Sequence, residues 1–157
     1  MVSKEMLMGV PLFADLGGPE MEMIATIAEK RTCAAGEKLY TEGKGGGSLF
    51  VLLTGSMRIE KIIRYDERQS LHKLVPGEFF GEVSFTTGLP HSATAEALTD
   101  SEVIEIKRSE FDDLAQKSCI VAYKIMAKLA FQLGTFLRTM DERFVEMVSY
   151  VWGRGKV

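Results

Sequence analysis

The sequence predicts a mainly β domain, a sandwich or barrel, flanked by an N-terminal helix and a long C-terminal helix. Between Cys33 and Ile106, short apolar or alternating runs recur at roughly 8- to 12-residue spacing, separated by Gly, Pro or charged turns. Before and after this stretch, apolar residues recur every three or four positions instead, which is the helical period.

The N-terminal helix is predicted over residues 10–31. Pro19 suits a first helical turn, and Met23, Ile24, Ile27 and Ala28 follow at helical spacing. The runs that predict strands are 38–40, 49–53, 56–63, 69–74, 93–97 and 103–106. The Gly-rich segment 44–48 lacks the Lys-Ser ending of a nucleotide-binding P-loop, and we interpret it as a flexible hairpin tip.

The C-terminal part, from Ser109 to Trp152, is predicted to be helical, with Ser109 as the N-cap and acidic residues in the first turn. Its apolar stripe continues for about seven turns, or roughly 38 Å, which exceeds a small barrel. The stripe therefore needs a second surface to cover it. The simplest is the same helix of a second chain, packed in parallel about a two-fold axis, and the alternative is that the stripe packs only on the chain's own barrel. The predicted dimer interface comprises Met126, Leu129, Leu133, Phe136, Met140, Phe144, Met147 and Val151.

Composition describes an ordinary globular chain. The 157 residues, 46% hydrophobic and 26% charged, predict one domain (1–116) plus an appended helix (117–157). We find no apolar run of the length that a membrane span needs and no signal peptide, and Cys33 and Cys119 form no motif. These observations predict a cytoplasmic protein that does not associate with a membrane and in which both thiols are buried.

Charge is unevenly distributed along the chain. The net charge of −3 argues weakly against nucleic-acid binding, but residues 117–157 hold seven Lys or Arg against three Asp or Glu. This basic segment is either the solvated face of a helix or a surface for an acidic partner.

The most informative motif is the run from Pro76 to Phe85, followed by Gly88 to Ala95. Gly77 and Gly81 permit tight turns, and a short helix after Phe80 offers free N–H groups to an anion. The run resembles the phosphate-binding cassette of cyclic-nucleotide-binding domains, the family of catabolite activator proteins and of regulatory subunits of cAMP-dependent kinase. Segments 36–43, 49–57 and 97–106 extend the resemblance to about residues 10–150.

The resemblance implies a double-stranded β-helix, or jelly-roll barrel, and a set of site residues. Glu82 is implied to bind the ribose, the backbone of Gly81, Glu82 and Val83 to bind sugar and phosphate, and Ser92 with the Ala93 backbone to bind the phosphate. Ser84 offers a further hydroxyl. Leu133, Phe136 and Leu137 are implied to cover the base, and the long helix is implied to form the dimer.

One residue departs from the family pattern, because His91 stands where the family has the arginine that binds the phosphate. A histidine reaches less far and is mostly neutral at pH 7, so we expect affinity about ten- to hundredfold lower. Glu78 and Glu82 add negative charge. His91 is either a pH-dependent phosphate contact or a surface-loop residue, and His72 is a poor metal or haem ligand.

The predicted function is a stand-alone regulatory protein that senses a nucleotide-like ligand, cAMP or cGMP, and signals to an unknown effector through a dimer helix. The alternative is a ligand-independent dimerisation or scaffold module. We find no catalytic or metal-binding constellation, which predicts a non-enzyme without a cofactor or metal. Direct DNA binding is not expected, because no helix-turn-helix follows the long helix before Val157.

Overall fold

The computed structural model describes residues 2–64 and 67–153, which form two four-stranded antiparallel sheets with helices packed on one of them. The chain begins with α1 (Lys4–Leu7), a 3₁₀ turn (Pro11–Phe13) and α2 (Gly18–Ile27). The strands are β1 (Ala28–Cys33), β2 (Lys38–Tyr40), β3 (Ser48–Thr54), β4 (Met57–Arg64), β5 (Glu67–Leu74), β6 (Phe79–Phe80), β7 (Thr94–Ala97) and β8 (Ser101–Lys107). The remaining helices are α3 (Glu82–Thr87), α4 (Arg108–Lys117) and α5 (Cys119–Gly153).

The strand order is β1-β8-β3-β6 in one sheet and β2-β7-β4-β5 in the other. Side chains such as Phe50, Leu52, Met57 and Val103 fill the space between the sheets. This arrangement confirms the predicted jelly-roll barrel.

The strands β3 and β8 of the first sheet are buried on both faces. Leu49, Val51, Ile104 and Ile106 point away from the barrel interior and pack against the helices, in a cluster that includes Phe13, Ile24, Phe111, Val121, Ile125 and Leu129. Burial on both faces explains why β3 and β8 are nearly continuous apolar runs, whereas a strand with one solvated face alternates.

The N-terminal helix is shorter than predicted. Helix α2 begins only at Gly18, after the 3₁₀ turn, and ends at Ile27, where β1 follows at Ala28, so the predicted helical span of 10–31 was wrong at both ends. Residues 28–33 pair with β8 along their whole length, and this ladder overrides the weak local preference. The two-residue strand β6 was also missed.

The C-terminal part divides into two helices. Helix α4 starts at Arg108 without a side-chain cap, so the predicted Ser109 N-cap was wrong. Ser118 separates α4 from α5, whose 35 residues span about 52 Å. The first turns of α5 are held by Val121, Ile125 and Leu129 in the core, and by ion pairs of Lys124 with Glu20 (2.6 Å) and Lys128 with Asp15 (2.9 Å).

Two predictions about the C-terminal part need correction. Leu129 is fully buried against its own domain, so it is not available for a dimer interface. Cys119 is exposed, whereas Cys33 is buried as predicted, and burial raises the pKa of the Cys33 thiol.

Candidate functional site

The cassette begins with a turn that only glycine accommodates well. Gly81 has φ +81°, and a Cβ atom there would lie 2.8 Å from the carbonyl oxygen of Ser48. The chain therefore turns sharply from β6 into α3, whose first residue is Glu82. This geometry brings the predicted residues Gly81, Glu82, Val83 and Ser84 together at the start of one short helix.

Glu82 is a buried carboxyl group at this turn. Burial raises its pKa, while a hydrogen bond from its own backbone N–H opposes the shift. Within residues 2–64 and 67–153, its carboxylate makes no hydrogen bond to another residue. The side chain therefore has unused acceptor capacity, which a ligand hydroxyl can satisfy.

His91 lies inside the barrel rather than on a surface loop, so the surface interpretation was wrong. Its side chain is buried, its ring stacks on Tyr40 with centroids 3.7 Å apart, and Nδ1 is 3.2 Å from the hydroxyl oxygen of Ser84. Burial lowers the pKa of His91, and the nearby Glu105 carboxylate partly opposes this shift. The imidazole is therefore neutral at pH 7.

Tyr40 belongs to the site, although no sequence signal indicated it. Its ring also packs against Phe50 and Phe80, at centroid distances of 5.5 and 6.1 Å. Burial, followed by the charge of Glu82, raises the pKa of its hydroxyl. Tyr40 and Glu82 thus face the same interior space, and His91 completes the aromatic cluster within it.

The Gly-rich loop is a wall of the site. It connects β2 in one sheet with β3 in the other, so the predicted hairpin tip was wrong. At Gly46 (φ +130°), a Cβ atom would lie 2.6 Å from the carbonyl oxygen of Leu89. The N–H of Gly47 donates to the Ser84 hydroxyl at 3.3 Å, which joins this loop to α3.

The second half of the cassette is positioned by β4. Ala93 is buried, whereas Ser92 is exposed, and the Ser92 carbonyl oxygen accepts a hydrogen bond from Lys61 Nζ at 2.9 Å. Lys61 also lies 3.6 Å from Glu42. Lys61 was missed because it is distant from the cassette in sequence and carries no motif.

Glu78 was predicted to add negative charge to the pocket, but its carboxylate is engaged elsewhere. Its carboxylate accepts from the backbone N–H of Val75 at 2.7 Å and lies 3.1 Å from His72 Nε2, so it stabilises the turn before β6. Of the three cassette side chains at the start of α3, those of Glu82 and Ser84 are buried, whereas that of Val83 points outward and is 38% exposed.

The predicted lid does not cover the cassette in this structure. Phe136 and Leu137 are 45% and 61% exposed, and Leu133 is partly buried. One turn earlier, Gln132 Nε2 reaches the Phe79 carbonyl oxygen at 3.5 Å. Helix α5 continues past the barrel beyond this contact, which leaves the two lid side chains in solvent.

Two open surface cavities lie away from the cassette. One, of about 370 Å³, lies between α2 and α4 and is lined by residues such as Met23 and Leu114. The other, of about 430 Å³, lies beside Cys33 and Asp100. Neither cavity is lined by a predicted site residue.

Solved structures share this architecture. The chain is similar to the crystal structure of the Thermus thermophilus catabolite activator protein, with a TM-score of 0.73 and 27% identity over 83% of this chain and 62% of that one. A cyclic nucleotide-binding domain from Methylobacillus flagellatus superimposes with a TM-score of 0.79 at 24% identity, covering 91% of this chain and 80% of that one, and supports the fold.

Sequence comparison agrees with the structural comparison. A cyclic AMP receptor protein of Thermus thermophilus is 29% identical over 80% of this chain and 58% of its own length, and a cyclic nucleotide-gated potassium channel of Mesorhizobium japonicum is 29% identical over 82% and 34%. The chain thus spans less than two thirds of these curated relatives. The family model for the cyclic nucleotide-binding domain matches residues 30–118, which is more than half of the chain. With the barrel, the αL turn at Gly81 and the short helix α3 in place, the chain belongs to the cyclic nucleotide-binding domain family.

Proposed function

We propose that this chain is a regulatory module that binds a nucleotide-like ligand, cAMP or cGMP, in the cassette and signals through a dimer of α5. The observation that carries the proposal is the buried Glu82 carboxylate, which has no hydrogen-bond partner on another described residue and stands beside the cassette turn. A carboxylate that accepts only from its own backbone N–H keeps acceptor capacity, and a sugar hydroxyl is a suitable donor. The implied site comprises Gly81, Glu82, Val83, Ser84, His91, Ser92 and Ala93.

Ligand affinity is expected to be weak compared with a site that has the family arginine. His91 is neutral, and its Nδ1 is already engaged with Ser84. Loss of one charge-assisted hydrogen bond corresponds to about a ten- to hundredfold weaker complex.

The dimer proposal rests on the exposed stripe of α5. Leu137, Met140, Phe144, Met147 and Val151 are each more than half exposed, and they alternate at spacings of three and four residues. That spacing is the a/d pattern of a coiled coil, in which a second helix covers the seam. Leu137 therefore belongs to the seam as well as to the predicted lid, and Phe136 flanks it.

Ligand-independent scaffolding is the second candidate. It is favoured by the packing of His91 with Tyr40, Phe50 and Phe80, because the imidazole fills interior space near the start of α3. In this alternative, the fold and the dimer helix persist while the pocket has lost its ligand.

We further propose a cytoplasmic, non-enzymatic role with an effector protein as the recipient of the signal. The relatives are named as receptors, regulatory subunits and gated channels, which supports a regulatory role. Helix α5 is long and apolar enough to cross a membrane by length and composition alone, with a mean hydropathy of 1.3 over its most apolar window. Core contacts account for Val121, Ala122, Ile125 and Leu129 in its first turns, and the proposed seam would cover part of the exposed apolar surface that follows.

Calorimetric titration with cAMP and cGMP at pH 6 and pH 7.5 tests ligand binding. We expect binding by the natural chain and about tenfold weaker binding by Glu82→Gln, because the charged acceptor for the sugar is removed. Glu110→Gln, an exposed change of equal charge on α4, should bind like the natural chain. Absence of both heat and a thermal shift at millimolar ligand would establish the scaffold instead.

A further inference from the structure

An anionic ligand at this cassette lacks an obvious cation. A cyclic phosphate carries a full negative charge, and a site that takes it out of water without a positive partner pays a large desolvation cost. His91 is buried, neutral and bonded to Ser84, so its imidazole is a poor candidate. A positive charge from another strand would resolve the problem.

Lys61 on β4 lies at the required place. Its Nζ is 2.9 Å from the Ser92 carbonyl oxygen, and the hydroxyl of Ser92 and the N–H of Ala93 are the groups proposed to hold the phosphate. The Ala93 N–H points away from this carbonyl across their shared trans peptide, so Lys61 would have to change rotamer, around the edge of the strand, for its ammonium to meet a phosphate held by that N–H.

Strand register supports the same placement independently. β4 pairs with β7 through Glu60 and Thr94, so the antiparallel ladder, if continued, sets Lys61 opposite Ala93. Met57 and Ile59 contribute to the core between the sheets. Alternation along β4 therefore directs Lys61 to the same face, toward the end of the barrel interior.

Two neighbouring arginines are committed to other groups. Arg58 pairs with Glu60 and Glu96, both at 3.2 Å, and Arg108 donates to the Phe85 carbonyl oxygen at 2.8 Å, at the far end of α3. Lys61 is less constrained, because its side chain is 47% exposed and its ion pair with Glu42 is long, at 3.6 Å. Exposed pairs of this kind contribute little stability and exchange readily for a stronger anion.

We propose that Lys61 supplies the positive charge that the cassette lacks at position 91 and binds the phosphate of the ligand. This role rests on the proposed ligand site and adds to it the residue that recognises the phosphate group of the ligand. Lys61 thus serves as a specificity determinant that reaches the second half of the cassette from the neighbouring strand β4 rather than from the cassette itself.

The test compares a ligand that has the phosphate with one that lacks it. Affinities for cAMP and for adenosine are measured by calorimetry for the natural chain, Lys61→Gln, Lys61→Arg and Lys73→Gln. Lys73 lies on the adjacent strand β5 and is exposed, so its change is the matched control for loss of one positive charge. We expect Lys61→Gln to weaken cAMP binding about ten- to hundredfold and to change adenosine binding less than about twofold.

The conservative and control variants sharpen the comparison. Lys61→Arg should keep cAMP affinity within a few-fold, and Lys73→Gln should match the natural chain. Should Lys61→Gln fold poorly in a circular dichroism melt, Lys61→Met, which keeps the apolar stem, takes its place with the same expected ratio.

The possible results separate this inference from the function on which it rests. Binding of cAMP that Lys61→Gln leaves intact overturns the role of Lys61 while the ligand site stands. Equal loss of cAMP and adenosine binding also overturns it, because the change then damages the pocket rather than a phosphate contact. No binding of cAMP or adenosine by the natural chain overturns both proposals.

Discussion

At the scale of single residues, the replacement of an arginine by His91 changes where the side chain goes. An arginine stays charged and must reach solvent or an anion, whereas a neutral imidazole can be buried in an aromatic cluster. His91 stacks on Tyr40 and bonds to Ser84, and burial lowers its pKa. The imidazole at position 91 is therefore packed into the aromatic cluster instead of projecting as a charged group.

This burial predicts a pH-dependent stability. In the unfolded chain His91 titrates near pH 6.5, and in the folded chain its pKa is lower, so the unfolded state binds more protons between these values. Stability is fully present above about pH 6.5 and is lost as the pH falls, by at most about 1.4 kcal/mol per pH unit. Urea denaturation between pH 7.5 and pH 5.5 should show this loss, and His91→Phe should reduce it.

The control for this measurement is Leu71→Phe, an exposed change on β5 that removes no titrating group and should keep the pH slope of the natural chain. The raised pKa of the buried Glu82 contributes a slope of the opposite sign, since its folded state is relieved of charge as the pH falls. Comparing variants at each pH cancels that contribution. Identical slopes for the natural chain and His91→Phe would show that His91 is not held neutral.

At the scale of elements, the two halves of the continuous helix α5 have different surroundings. Its first turns belong to the core and are tied to the N-terminal region by Lys124 and Lys128. Leu133 is partly buried, and residues 134–152 are all exposed. The same apolar period therefore serves intramolecular packing first and a free surface afterwards.

Substitutions of two leucines on α5 should have unequal effects on folding. Leu129→Ala leaves a cavity in the core and should lower the free energy of unfolding by about 2–5 kcal/mol. Leu137→Ala, at a site that is 61% exposed, should change it by less than about 1 kcal/mol. Urea denaturation at low protein concentration measures both, and similar losses would mean that the second half of α5 also packs on its own domain.

At the scale of the whole molecule, the barrel and the exposed half of α5 leave a large apolar surface to be covered. The side chains of Met140, Phe144 and Met147 are each more than half exposed. A continuous row of exposed apolar side chains marks an interaction surface. A parallel pair of α5 helices would bury it and place two cassettes beside one shared element. Such an element would allow a ligand in either site to bias the assembly.

Sedimentation velocity tests this assembly. Phe144→Glu puts a charge into the proposed seam and should shift the protein from dimer to monomer, raising the dissociation constant at least about tenfold. Ser149→Glu introduces the same charge on the polar face of the helix and should leave the dimer intact. A monomeric natural chain, or equal effects of the two variants, would contradict the proposed seam.

Much of the architecture follows from local chemistry that is visible in the sequence. Glycine at position 81 permits the left-handed turn, and the apolar runs of β3 and β8 indicate strands wherever they pair. By contrast, the residues of β1 were predicted to end a helix. They form a strand because they pair with β8, which is distant in the sequence. Propensity is a local quantity, and a distant partner can override it.

The sequence by itself determined the barrel, the order of its motifs, the cassette turn and the absence of the family arginine, because these depend on residue type and on short-range spacing. Only the tertiary structure decided that His91 turns inward onto Tyr40, that the Gly-rich loop meets the cassette, and that Lys61 reaches Ser92 from β4. Each of these contacts joins residues far apart in the chain, and the pairing of distant strands with β7 and the approach of a distant loop, rather than any local preference, bring them together.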